Sequence, residues 1–129
     1  MKKTLILITF SLPILFISCK KTDLKTKQNM SLIGRWTLIE SLADPGDGTG
    51  KWKKVDKPNY YFIQFNKDST IQNNMDTASG ELTHFKVSGS NIKLIYADSN
   101  TLSLFYKLER CNLTLQGGCY EPCGTKYKK

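Results

Sequence analysis

From Ser31 onward, short runs of Val, Ile, Tyr, Phe and Thr alternate with polar residues and are broken by Gly, Asn, Asp and Ser. Alternation with a period of two marks a half-buried strand, because successive side chains leave opposite faces of the pleated backbone. The pattern predicts strands at 35–42, 60–66, 70–75, 82–88, 92–97, 102–110 and 112–116. Turn-forming clusters at 66–69 (NKDS), 88–91 (SGSN) and 98–100 (DSN) separate them. No stretch carries a sustained helical period with a cap at either end.

The same alternation assigns an inner face. Trp36, Leu38 and Leu42 share one side of the first strand, and Glu40 falls on that apolar side. Phe85 and Val87 follow, then Ile92, Leu94 and Tyr96, then Leu102, Leu104, Tyr106 and Leu108, and finally Leu113 and Leu115. The run Tyr60-Tyr61-Phe62-Ile63 is apolar on both faces, so its phase stays open. Many short strands linked by hairpins close most simply as a small antiparallel up-and-down barrel of seven to eight strands, with a compact sandwich as the alternative.

The first thirty residues obey a different pattern. Lys2 and Lys3 precede an almost unbroken apolar run at 5–17, the arrangement of a secretory signal. That run is shorter than the about 20 apolar residues a spanning helix needs. Phe16-Ile17-Ser18-Cys19 resembles the lipobox of bacterial lipoproteins. The resemblance implies cleavage before Cys19 and lipid on its sulfur, leaving 1–18 as signal peptide. Residues 20–31 are polar and aperiodic, so 19–31 reads as the lipidated cysteine and a flexible tether, with a folded domain over 32–129. Lys20 directly after Cys19 is compatible, by analogy, with delivery to the outer membrane of the cell envelope.

The chain has 129 residues and a net charge of +8, which becomes +6 once Lys2 and Lys3 are removed with their acid-free segment. Export argues against nucleic acid as the partner of this charge. A basic surface near anionic head groups, or simply a well-solvated one, accounts for it.

Leu32-Ile33-Gly34-Arg35-Trp36 resembles the opening strand of lipocalins. More specifically, the chain resembles the small lipocalin-like lipoproteins of Bacteroidota. These share a Gly-x-Trp strand, a Gly-rich loop followed by Trp (here 45–52, PGDGTGKW) and a Cys-rich end (here 119–124, CYEPCG). The likeness covers roughly 32–129. It implies a barrel whose closed end is plugged by Trp36 with a basic side chain stacked across it. Arg110 is in the inward phase, and Lys126 or Lys128 lies near the terminal position. Big inward residues on short strands favour a largely filled interior.

With Cys19 assigned to lipid, Cys111, Cys119 and Cys123 remain, allowing three single pairings with one thiol left over. The family-like Cys-x-x-x-Cys element, bent by Pro122, favours Cys119–Cys123; Cys111–Cys119 across Gly117-Gly118 is the alternative. Neither spacing fits a zinc site with His84, the one histidine, so no metal is expected. The loop at 44–54 lacks the Gly and Ser/Thr of a phosphate loop and the acidic ligands of an EF-hand. Trp52, flanked by Lys51, Lys53 and Lys54, suits a lipid interface.

No nucleophile–base pair or carboxylate pair is suggested, so neither an enzyme nor a cofactor is expected. The expectation is a lipid-anchored barrel that binds a small apolar or amphipathic ligand, with Glu40, Tyr96 and Tyr106 as polar contacts. The alternative is a non-catalytic envelope protein acting through its outer surface, on lipid head groups or an unknown protein partner.

Overall fold

The computed structural model describes residues 31–75 and 80–129; the signal, Cys19 and the tether expected from the sequence lie outside them. Nine strands and no helix occur among these residues: β1 (Gly34–Ala43), β2 (Lys51–Lys54), β3 (Phe62–Phe65), β4 (Ile71–Asn73), β5 (Leu82–Ser88), β6 (Asn91–Tyr96), β7 (Thr101–Glu109), β8 (Asn112–Gln116) and β9 (Cys123–Lys128). They form one antiparallel sheet in the order β4-β3-β1-β9-β8-β7-β6-β5, with β2 on the side of β1. A bridge between Thr70 and His84 joins the two ends. The Phe85 amide, donating to the Ser69 carbonyl at 3.0 Å, reinforces it. The result is a nearly closed, eight-stranded meander barrel of lipocalin-like type.

All seven expected strands are present: β5 and β8 have the expected bounds, and the others differ by one or two residues at each end. Two more were not legible. β2 reads Lys-Trp-Lys-Lys, and β9 carries Tyr127 as its one buried side chain, so neither has an apolar alternation to detect. Both are strands because β1 offers them a ladder. β2 pairs with 40–43 and β3 with 34–37 along the same edge of β1, so they are successive pieces of one broken strand. The Val55 amide bonds Ile39 O at 3.1 Å and the Leu38 amide bonds Tyr61 O at 2.9 Å, so residues 56–60 bow outward between two anchored ends.

The other edge of β1 pairs with β9, and its register shifts between Leu38 and Glu40. Leu38 lies opposite Tyr127, and Glu40 opposite Lys126. Such a bulge inserts one residue and turns the following side chains to the other face. Glu40 and Leu42, expected inside, therefore point outward.

The interior is filled. Trp36, Leu38, Ile63, Phe65, Ile71, Leu82, Phe85, Ile92, Leu94, Tyr96, Leu104, Leu113, Leu115 and Tyr127 are buried and contiguous, and among the described residues no polar or charged one is fully buried with them. Phe65 and Phe85 meet edge to face at 5.0 Å across the closing seam between β4 and β5. Each such large side chain contributes about 1.5–3 kcal/mol by leaving water. Val87, at the end of β5, keeps the inward phase but is 45% exposed.

Candidate functional site

Trp36, near the start of β1, is buried in the core, with 1% of its surface exposed. Its indole N–H donates to Leu32 O at 2.7 Å, and Lys129 Nζ stands 5.0 Å from the ring centroid. The same ammonium donates to Ser31 O at 3.1 Å and Ile33 O at 2.9 Å. The cation over the indole is Lys129, where Arg110, Lys126 or Lys128 was expected. Arg110 lies instead in the turn between β7 and β8, with φ of 53°. Gly34, two residues before Trp36, has φ of +125°, and a Cβ there would come 3.0 Å from the Lys129 side chain. The Gly-x-Trp spacing thus reflects a place where backbone and lysine pass closely.

Glu40 is on the outer wall, where its Oε2 accepts a hydrogen bond from Lys126 Nζ at 2.8 Å. Lys126 Nζ also sits 4.1 Å from the centroid of Trp52. Trp52 lies opposite Leu42, and its ring edge is 2.9 Å from where a Gly124 Cβ would stand. The indole is folded down onto the sheet and held there between Gly124 and Lys126. Tyr96 is buried at the end of β6, and Tyr106 is partly buried in the opposite half of β7. Glu40, Tyr96 and Tyr106 are therefore not brought together as one set of contacts.

The Gly-rich loop turns its amides inward. Asp44 accepts the N–H groups of Gly46 at 2.8 Å, Gly48 at 3.1 Å and Gly50 at 2.8 Å. Those bonds, Gly46 first, hold the Asp44 carboxyl below its usual range. Amides that would cradle a phosphate are spent on the loop's own carboxylate. Beside the loop, Cys119 and Cys123 form a disulfide, the expected pairing. No cysteine among the described residues is a free thiol, which differs from the expectation of one left over. His84 is exposed on β5, and among the described residues no group of His, Cys, Asp and Glu is arranged to hold a metal.

Two clefts lie beside β4. One open cleft of about 410 Å³ is lined by Leu38, Lys57, Tyr60, Tyr61, Asn74 and Met75. A second, of about 550 Å³, runs along the β4–β5 seam past Gln72, Asn73 and Leu82. They share Asn74 and Met75. Asn74 holds the wall between them: its Oδ1 accepts the Phe62 amide at 2.8 Å and its Nδ2 donates to Tyr60 O at 2.7 Å. The side chain thus prolongs the ladder where β4 stops and fixes the outward bow at 56–60. Tyr60 and Tyr61 pack edge to face at 4.9 Å, with Lys57 Nζ 5.6 Å from the Tyr60 ring.

Asn73 is the polar group that stands out here. It pairs across the sheet with the buried Ile63, so it takes the inward phase between Ile71 and Met75. Its Nδ2 is buried without a hydrogen-bond partner. A buried donor left unpaired costs about 1–3 kcal/mol. Sequence reasoning passed over this residue, although the spacing Ile71-x-Asn73-x-Met75 places an amide in an apolar row.

The fold and clefts define a small, core-filled meander barrel with an open depression beside its weakest seam. Neither family models nor curated proteins nor solved structures gave a significant match to the chain.

Proposed function

We propose that this chain is a lipocalin-like, lipid-anchored envelope protein, and that its barrel binds a small amphipathic ligand at the β4 clefts rather than in a central calyx. The reading is of a binding protein, not a catalyst. The observation that carries it is the unpartnered Asn73 Nδ2 beside a cleft lined by both polar and apolar side chains. A ligand oxygen reaching that amide would satisfy the donor, while an apolar body lies against Leu38, Tyr61 and Met75. The aromatic pair and the Asn74 clamp pre-form this wall, which lowers the cost of ordering it on binding.

Native mass spectrometry of gently extracted protein tests the binding role. A small molecule retained by the native chain and lost from Asn73→Leu supports it; equal retention by both, or by neither, sinks it. The anchor is tested separately, by the mass of the Cys19 peptide. An acyl-bearing Cys19 is expected. A thioether leaves that sulfur no second bond. With Cys119 and Cys123 paired, finding Cys19 in a disulfide with Cys111 would overturn the anchor.

A further inference from the structure

On the outer wall formed by β5, β6 and β7, alternation against the buried Phe85, Leu94 and Leu104 sets out His84, Lys86, Lys93, Ile95, Ser103 and Phe105. Lys86 and Lys93 stand directly opposite each other. Like charges so placed destabilise a sheet. The one acid in these three strands, Glu109, is taken by Lys107 at 2.7 Å. Among the described residues neither Lys86 nor Lys93 has an ion-pair partner. Beside them Phe105, paired with Asn91 and Gln116, leaves 63% of its surface in water.

We infer that this wall is a docking face for an anionic lipid bilayer surface. The charge complement is direct: head-group phosphates between Lys86 and Lys93 remove a repulsion the sheet otherwise sustains. A lone aromatic ring among lysines and small polar residues suits the head-group boundary, where an apolar body enters only a short way. It does not supply the contiguous apolar centre that a stable protein interface requires. The inference is independent of the β4 clefts. It also assigns an orientation, because β1 lies four strands from β6 in either direction around the barrel and its lysine-rich partner β2 is beside it. Lys51, Lys53 and Lys54 would then face away from the bilayer.

The test is residue-resolved acylation of the full-length protein reconstituted in phosphatidylglycerol or phosphatidylcholine liposomes, read by peptide mass spectrometry. On the anionic lipid, Lys86 and Lys93 are expected to react about five-fold more slowly, the factor that one lysine–membrane contact is worth. High salt should abolish the difference, Lys51, Lys53 and Lys54 should be unaffected, and Phe105→Ser should reduce the protection. Equal rates on the two lipids, or equal slowing of the β2 lysines, would overturn the assignment. Protection that depends on protein density and not on lipid charge would also overturn it, in favour of a second copy of the chain. Full protection retained in Phe105→Ser would remove the ring from the docking face.

Discussion

Glu40 and Lys126 face each other on the outside of the barrel at 2.8 Å, although Glu40 is in sequence phase with the buried Trp36. The register shift after Leu38 separates them. An in-phase Glu40 would have needed desolvation in the core, at a cost of several kcal/mol. The bulge places it instead in a half-exposed ion pair that also steadies Trp52.

Replacing Glu40 by Gln should therefore change unfolding stability by less than about 1 kcal/mol, as expected for partly exposed pairs. Equilibrium urea unfolding measures this. A loss of several kcal/mol would show that the carboxylate is buried after all.

Trp36 is among the largest fully buried side chains, and Trp36→Ala should cost about 3–5 kcal/mol. Lys129→Met removes the cation above the ring, worth about 0.5–1 kcal/mol, together with its hydrogen bonds to Ser31 O and Ile33 O. Gly34→Ala should cost about 1 kcal/mol or more, since its positive φ disfavours any Cβ and Lys129 must give way. The largest fall in denaturant midpoint from Trp36→Ala, with smaller falls from Gly34→Ala and Lys129→Met, is the checkable result.

Asn73→Leu should raise stability by about 1–3 kcal/mol, because it removes a buried donor that has no acceptor. The same change should abolish retention of the co-purifying small molecule. A melting temperature that falls while retention is unchanged would contradict both expectations.

The acid limb of stability has a definite sign. Asp44, Asp47 and Asp68 are all held below the ordinary carboxyl value of 3.8 by hydrogen bonds: from Gly46 first at Asp44, from Thr49 at Asp47 and from Thr70 at Asp68. Their contribution is present above that value and is lost as pH falls below it through the lower folded values. Asp44→Asn should flatten part of this loss in a melting-temperature titration. At the alkaline end, burial raises Tyr127 above its ordinary 10.0, so its contribution is complete below that value and is lost as pH rises through the folded one. Tyr127→Phe should remove that alkaline component.

Reducing the Cys119–Cys123 bond should cost about 2 kcal/mol on loop-entropy grounds, since it closes only a short segment. Urea midpoints of Cys119→Ser/Cys123→Ser and of the native chain provide the comparison.

Local alternation in the chain was enough to determine an all-β fold and most of its inner face, Trp36 included, because period-two burial is a property of each strand alone; the plug role of Trp36 came from the lipocalin resemblance. The Cys119–Cys123 pairing came from a family-like motif. Tertiary structure decided what depends on neighbours. β2 and β9 exist because β1 offers free backbone donors and acceptors. A single inserted residue after Leu38 sends Glu40 and Leu42 outward, and chain closure brings Lys129, not Arg110, over the indole. The unpaired amide of Asn73 becomes visible only when Ile63 is set beside it. Hydrogen-bond satisfaction and strand register are sums over partners distant in sequence, and no local pattern encodes them.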